Sequence, residues 1–556
     1  MYKPLFAALL ATALCSGQRS LLTRYGNLAY DGLGHCIRAI GDVDADGVTD
    51  LVVAAHSPSG GSGTWYVFVL SGRDGHELFR HTGYSVEFFG ASVSGVGDVD
   101  RDGTPDYAIG VTNYNYGRVH VHSGKTGALL FTVDGDSQGY AMGADIASLG
   151  DVNGDGYADF LAAAPQTASG PYGRVHVISG KLKAILYSVS GAIGSGPSSY
   201  VPMGMIRSVG DVNGDGVPDF GVSDMSSSNG TTNGIGKVRI HSGINGAVLR
   251  TFSNPAVVAN TGAFGCAFAR VGDVDNDGTR DWLVTSPRES IPGVGLGTAR
   301  VYSGATGLVL RTHYGAVPLA APTEWYGYRA ANVGDLDLDG VDDYALSSLS
   351  HEGYGGANAG TVFVFSAKTG RPLFQLDGRT GKAQLGFSLE PAGDMDSDGI
   401  PDIIVGAPGE QGTLSAQGCL RVLSGRVVAD ALSLPTRCAG SSLLPLLNAT
   451  RPLLGTLCRI FGDQAPLNTP GFLLISPRPD FETNLGLPGC DLWIDTLRFA
   501  VLTTVPGNTP SWSVPLAIPA FPPFSGIDIR LQALYGPTMG PFGVDLSNGL
   551  ALKLGY

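Results

Sequence analysis

The apolar positions of this chain fall into short strand-like runs, bounded by glycine and serine, that recur in sets of four. The second set is the clearest. Phe89 to Val96 alternates small and apolar residues, and Asp106 to Val111 carries the run Tyr107-Ala-Ile-Gly-Val111. Gly117 to His122 alternates valine with arginine and histidine, and Ala128 to Val133 closes the set. Alternation, β-branched residues and Gly-bounded ends predict a strand for each run. Ser-Gly turns at Ser71-Gly72, Ser123-Gly124, Ser242-Gly243 and Ser303-Gly304 join the third run to the fourth, as in an antiparallel hairpin. A single four-stranded sheet cannot bury both of its faces. Repeated sets bury each other's faces when they stand in a circle, so the pattern predicts an all-β protein with a seven-bladed β-propeller over residues 20–430.

Between the first and second strand of every set lies a nine-residue acidic stretch. In the second set it reads Asp98-Val-Asp100-Arg-Asp102-Gly103-Thr-Pro-Asp106. The copies start 56, 53, 60, 62, 62 and 59 residues apart. Acids at positions 1, 3, 5 and 9 are Asp42, Asp44, Asp46 and Asp50 in the first copy and Asp98, Asp100, Asp102 and Asp106 in the second. The third has Asp151, Asn153, Asp155 and Asp159, and the fourth Asp211, Asn213, Asp215 and Asp219. The last three have Asp273, Asp275, Asp277 and Asp281; Asp335, Asp337, Asp339 and Asp343; and Asp394, Asp396, Asp398 and Asp402. Clustered carboxylates repel one another unless a cation sits among them. Hard oxygens at alternate positions, a turn-forming glycine and a closing carboxylate suit Ca²⁺, which takes roughly six to eight oxygens. Asp-Gly also forms ordinary turns, but seven copies of one acid pattern are poorly explained that way. All 28 positions are therefore expected as metal ligands, for up to seven Ca²⁺.

An EF-hand loop would need its acid at position 12. That position is Val53, Ile109, Ala162, Val222, Val284, Leu346 or Val405. Each lies in an apolar run such as Leu51-Val-Val-Ala54, so the loop closes at position 9 and runs into a strand. Small residues in the first strand of each set, such as Gly90-Ala-Ser92, Gly143-Ala144 and Gly265-Cys-Ala267, place that strand innermost, where the ring is most crowded. Two closures of the ring are open: a last strand from Arg426 to Leu432, or an outer strand from residues 20–30.

An aromatic or apolar residue plus glycine precedes the loops, as in Phe89-Gly90, Phe264-Gly265, Tyr326-Gly327 and Leu385-Gly386. Gly-Ala-Pro or a variant follows them, as in Gly406-Ala-Pro408, Ala163-Ala-Pro165 and Thr285-Ser-Pro287. Residues 30–425 thus resemble the FG-GAP repeats of the integrin α-subunit N-terminal propeller and its secreted bacterial relatives. The resemblance implies the propeller fold and Ca²⁺ binding. In that family only some blades carry the calcium loop, whereas here all seven do. The family's separate metal-dependent adhesion domain, with its Asp-x-Ser-x-Ser motif, is absent, so integrin-type ligand binding does not carry over.

The composition changes after about Arg426. Sixteen of the 33 prolines fall in residues 435–541, the acidic loops stop, and short runs such as Phe472-Leu-Leu-Ile475 suggest a small β-sandwich over residues 433–556. At the other end, Lys3, the apolar run Leu5 to Leu14 and small residues near Cys15-Ser-Gly17 read as a signal peptide over residues 1–17. No later run of about 18 apolar residues predicts a transmembrane helix. The chain is therefore expected outside the cell or at its surface, where calcium is plentiful. Removal of the signal leaves Cys36, Cys266, Cys419, Cys438, Cys458 and Cys490. Disulfides are compatible with that even number, and proximity singles out Cys438–Cys458.

The formal charge of −14 equals what seven divalent ions would cancel. The ligand positions hold 26 of the 49 acids, so the acidity reads as metal demand. No Lys/Arg stripe points to nucleic acid, and a monomer is expected. No G-x-S-x-G elbow, H-E-x-x-H helix, P-loop or assignable glycosidase carboxylate pair occurs. His120, His122, His176 and His241 fall on third strands and read as packing residues. Up-and-down topology puts the acidic loops and Ser-Gly turns on one rim. The opposite rim receives the longer segments Thr112 to Tyr116, Ser223 to Gly236 and Ser347 to Gly360, with Tyr114, Tyr116, Tyr172, Trp325 and Tyr354 on or near it. Loops on a rigid scaffold are where function tends to sit, and aromatics there can stack on sugars or anchor a protein. The expected function is a non-enzymatic binding or adhesion module with a protein or glycan ligand. The alternatives are a polysaccharide- or headgroup-directed hydrolase or lyase, and a structural surface-layer component.

Overall fold

A computed structural model describes residues 19–426 apart from residue 29 and the loop stretches 56–63, 114–115, 136–140, 166–172, 194–205, 226–235, 256–262, 292–294, 316–324 and 352–356, and only the strands after 426. The signal segment, Tyr114, Tyr172 and Tyr354 lie outside the described residues.

Seven four-stranded antiparallel sheets form the propeller. Blade 2 is typical, with strands Phe89–Gly97, Asp106–Val111, Arg118–His122 and Leu129–Asp134 from the axis outward. Blades 1 and 3 to 6 repeat this order over residues 33–84, 145–193, 206–253, 268–314 and 326–377. Blade 7 takes three strands from Ser388–Gly393, Asp402–Ala407 and Cys419–Leu423, and its outer strand from the other end of the chain. Ser20–Tyr25 runs antiparallel to Cys419–Leu423, pairing Tyr25 with Cys419. Of the two closures left open by the sequence, the N-terminal strand is therefore the one used. Asp430–Ser433 pairs instead with Leu550–Lys553. The N-terminal strand covers the edge of Cys419–Leu423 and gives blade 7 the same four strands as the others.

The second strand of a blade is buried on both faces, as in Asp50–Ala55, Asp106–Val111 and Asp402–Ala407, which is why its sequence is a continuous apolar run. Side chains of adjacent blades interdigitate. Val96, Val99, Ala108 and Val121 of blade 2 meet Ile146, Phe160, Ala162 and Ile178 of blade 3 in one cluster. Backbone crowding at these seams explains the glycines that stand there. A Cβ on Gly110 would stand 2.0 Å from the carbonyl oxygen of Gly143 in the next blade, and one on Gly406 would stand 2.1 Å from Gly34 O. Gly34 and Gly143 themselves have φ of +95° and +88°. The position equivalent to Gly110 is Ala54, Ala163, Ser223, Thr285 or Ser347 in other blades, always small. The seam between blades 7 and 1 uses the same contact as the seam between blades 2 and 3, so the closing joint is built like an internal one.

The innermost strands carry a β-bulge two residues long just before the acidic loop in six blades, for example between Ala39 and Gly41 and between Ser208 and Gly210. A bulge bends the strand and breaks the regular pairing, here where the chain leaves the sheet for the acidic loop.

The strands after residue 426 form a sheet ordered Asp430–Ser433, Leu550–Lys553, Asp528–Tyr535, Gly471–Pro477, Ala500–Val505, with Asp545–Leu546 paired to Asp528–Tyr535. A second sheet holds Leu446–Ala449, Leu457–Asp463 and Trp512–Ala517. Face-to-face packing of a sandwich concerns side chains outside the described residues. Cys36, Cys266 and Cys419 are buried thiols, none in a disulfide. The expected Cys438–Cys458 pair lies outside the described side chains.

Gly406→Val tests the seam. The new side chain has no room beside Gly34 O, so we expect destabilisation of about 1–3 kcal/mol or more, as for overpacked cores, read as a lower midpoint in a denaturant titration. The same change at the open Gly399, where a Cβ would meet nothing within 4 Å, is strained only by its φ of +85° and should cost less.

Candidate metal centres

Each acidic stretch folds into the same compact turn. The position-1 carboxylate grips the backbone: Asp42 Oδ1 accepts from Asp46 N at 3.0 Å and Asp42 Oδ2 from Gly47 N at 2.8 Å. The equivalent pairs recur in all seven blades, down to Asp394 with Asp398 N at 3.1 Å and Gly399 N at 2.8 Å. The position-5 carboxylate accepts from the N–H of position 7, as Asp46 does from Val48 N at 2.8 Å. Position 4 has positive φ throughout: Ala45 +61°, Arg101 +63°, Gly154 +73°, Gly214 +78°, Asn276 +59°, Leu338 +58° and Ser397 +58°. Only two of these are glycine. A leucine in this region costs roughly 1–2 kcal/mol, so the loop geometry is held by the surrounding hydrogen bonds against local preference.

The position-9 aspartate makes the longest reach. Asp50 is fully buried; its Oδ2 accepts from Val43 N at 2.7 Å inside the loop, and its Oδ1 from Gly72 N at 2.9 Å in the Ser-Gly turn. Asp106, Asp159, Asp219, Asp281 and Asp402 repeat this with Gly124, Gly180, Gly243, Gly304 and Gly425, and Asp343 with Ala367. One side chain thus ties the acidic loop to the hairpin turn beside it. Burial pushes the carboxyls of Asp50, Asp106 and Asp402 up to about 6 and that of Asp343 up to about 8, from 3.8, although the backbone N–H groups pull the other way.

These carboxylates converge. Ligand oxygens of Asp42, Asp44 and Asp50 lie within 4.8 Å of one another, as do those of Asp98, Asp100 and Asp106; Asp273, Asp275 and Asp281; Asp335, Asp337 and Asp339; and Asp394, Asp396 and Asp402. In blades 3 and 4 the third position is the neutral Asn153 or Asn213, each accepting from the position-5 N–H. The donor set consists of oxygen atoms only, the kind hard divalent cations take. Asp337 Oδ1 is buried with no hydrogen-bond partner, and burial together with Asp339 raises its carboxyl's pKa. An orphaned, partly charged oxygen facing other carboxylates fits a cation-binding loop. Basic residues of the hairpin turns take part of that role at the exposed edge. Arg73 Nε donates to Asp46 Oδ2 at 2.7 Å, Lys125 Nζ lies 3.8 Å from Asp102, and Lys368 Nζ donates to Asp339 O at 2.7 Å.

The histidines pack as expected. His122 stacks on Tyr107 at 5.6 Å, His241 on Phe220 at 5.4 Å, and His176 Nδ1 lies 2.8 Å from Ser188 Oγ. Among the rim aromatics, Trp325 packs under Arg288, whose guanidinium lies 4.3 Å from the ring, while Tyr116 is 36% exposed. Sequence reasoning passed over the exposed group Tyr84, Val86 and Phe88, which sits in the connection from blade 1 to blade 2. Asn113 of blade 2 pins that connection, with Nδ2 on Val86 O at 2.6 Å and its backbone N on Glu87 O at 3.0 Å. Also unforeseen was a charged cluster on the axis. Arg38 of blade 1 lies 2.6 Å from Glu390 of blade 7, and Arg207 of blade 4 makes a two-pronged contact with the same carboxylate at 2.8 and 3.1 Å. Burial alone would raise the Glu390 carboxyl, but the two guanidinium groups outweigh it and hold it below its usual range.

The FG-GAP repeat family matches residues 142–178 and 386–416. Integrin alpha-V of Gallus gallus is 31% identical over 221 residues, which is 37% of this chain and 20% of that protein. Integrin alpha-5 of Xenopus laevis is 30% identical over 225 residues, 36% of this chain and 21% of its own length. Integrin alpha-IIb of Homo sapiens is 38% identical over 155 residues, 25% and 14% of the two chains. The chain therefore spans about a fifth or less of these curated relatives. With the seven blades, the matches support an integrin-alpha-like FG-GAP propeller. Its aspartate clusters could hold metal.

Two measurements test the position-9 aspartates. Asp50→Ala leaves two buried N–H groups without acceptors and should cost about 2–5 kcal/mol, while Asp50→Asn keeps one acceptor and should cost less; chemical denaturation reads both. In cation-free protein the folded chain holds protons on these carboxyls that the unfolded chain has already released. Stability should therefore fall as pH rises from about 4 through about 6, with Asp343 extending the loss towards about 8. A melting series in EDTA across that window that rises instead would overturn this account.

Proposed function

We propose that this chain is an exported, calcium-loaded propeller acting as a non-enzymatic binding or adhesion module at the cell surface or outside the cell. Calcium would be held by positions 1, 3, 5 and 9 of the acidic loops, from Asp42 to Asp402, in up to seven sites. Its part is structural: it neutralises carboxylates that repel, and it favours the ionised form of position-9 groups that burial alone would protonate. The basic side chains at the loop edges do not compete strongly. Arg73 and Lys125 are 59% and 58% exposed, and water and salt screen surface pairs of this kind. The apolar segment at residues 5–14 supports export, and among the described residues no helix is long and apolar enough to cross a membrane.

The observation that carries the binding role is the patch of Tyr84, Val86 and Phe88, exposed by 69%, 67% and 46%, on the rim opposite the acidic loops. Three large apolar side chains in sequence on a pinned connection are costly to leave in water. The patch suits a protein or glycan ligand, with its aromatic rings as anchors. The rigid ring behind them limits the entropy lost on binding.

Chelation tests the metal. EDTA should lower the melting temperature and reverse its pH dependence, and millimolar calcium should restore both, since extracellular modules commonly bind at about 10⁻⁴–10⁻³ M; an unchanged melt removes the structural role. For the ligand, the full chain is screened on a glycan array and against extracellular matrix proteins. The double variant Tyr84→Ala/Phe88→Ala should lose about ten-fold or more of the binding found without a lower melting temperature. Binding that survives the double variant places the ligand elsewhere.

A further inference from the structure

The axial channel contains a cavity of about 410 Å³ towards the acidic-loop rim. Its walls come from the innermost strands of blades 4 to 7, with Arg207, Ser208, Arg270, Asn332 and Glu390, and from Arg280 of the blade 5 acidic loop. Three guanidinium groups face one carboxylate here, in a chain whose formal charge is −14. The hollow is thus of opposite sign to the molecule that surrounds it.

Two of the three arginines have acidic partners. Arg207 is held by Glu390, and Arg280 by Asp342. Arg270 differs: its Nη1 donates to two backbone carbonyls, Val209 O at 2.7 Å and Asp211 O at 3.3 Å, and its Nε is buried without a partner. Asn332 fixes the backbone at this point, donating to Arg270 O at 2.9 Å. Asp211 and Asp219 attract the Arg270 guanidinium, but among the described residues no carboxylate hydrogen-bonds to it, and a half-buried cation held this way next to a second cation is costly. Planar guanidinium forks converging on a cavity are matched by an oxyanion, which accepts two parallel N–H bonds. The volume lies at the smaller end of ligand sites, about 300–1,000 Å³.

We propose that this cavity binds a small oxyanion, a carboxylate or sulfate group carried by a small molecule, with Arg270 as its main contact and Arg280 and Arg207 beside it. The site is separate from the exposed aromatic rim and does not depend on the calcium reading. Its function would be to recognise the acidic group of a ligand, such as a sugar acid or a sulfate ester, that reaches the channel from the acidic-loop side.

Isothermal titration calorimetry on the full chain in low-salt, calcium-containing buffer, with inorganic sulfate and with D-glucuronate as probes, tests this. Saturable binding of at least one probe is expected. Glucuronate alone points to a carboxylate source and sulfate alone to a sulfate ester; either supports the site. Arg270→Gln should weaken the binding about ten-fold or more, the equivalent of one charge-assisted bond. Ser208→Asp puts a carboxylate on an exposed cavity-lining position and should weaken it as much while leaving the melting temperature equal or higher, which a folding defect would not do. Failure of both probes to saturate, or binding that survives both substitutions, overturns the proposal.

Discussion

The propeller depends on one interaction made seven times: a buried carboxylate with each oxygen on a different backbone amide. Asp50 and its six equivalents join the loop that leads into the second strand to the turn that leaves the third. Other contacts between the two connections, such as Arg73 Nε with Asp46 Oδ2, lie at the exposed edge and do not recur in every blade. The tie has an electrostatic cost, because a carboxylate shielded from water resists ionisation unless charge arrives to offset it. The N–H pair supplies part of that offset. The clustered aspartates at positions 1, 3 and 5 increase the repulsion, which makes a divalent cation the natural complement.

The same loops show how local strain and long-range order balance. Position 4 adopts a left-handed conformation in all seven copies with five different side chains besides glycine, Leu338 among them. No intrinsic preference selects that conformation for alanine, arginine or leucine. The selection comes from the carboxylates, which gather the amides of positions 5 to 7 and leave the chain no other path. Glycine is needed where space is lacking, as at Gly110 and Gly406, and position 4 has space.

The axis and the far rim follow a different logic from the loops. Small residues at the starts of the innermost strands let the blades approach, as at Gly34 and Gly143. The charges further along those strands, Arg38, Arg207, Arg270 and Glu390, occupy the room that remains near the centre. In six blades a bulge follows on the innermost strand just before the acidic loop. The pairing of these charges is non-repetitive, which leaves the channel polar and lopsided, with its positive side against blades 4 and 5.

Residues near in sequence were legible from sequence: four strands to a set, seven sets, the oxygen-rich turns and the small residues at the seams. Each rests on a local period or a local steric need, and the periodicity copies it seven times, so one reading could be checked against six others. Tertiary structure alone decided what joins distant segments. Ser20–Tyr25 completes blade 7, almost 400 residues away in the chain. Arg38 and Arg207 share Glu390, and Tyr84 to Phe88 becomes a surface patch because Asn113 holds it there. None of these repeats with the blades, so no pattern along the chain announces them; they exist only because closing the ring brings those particular side chains together.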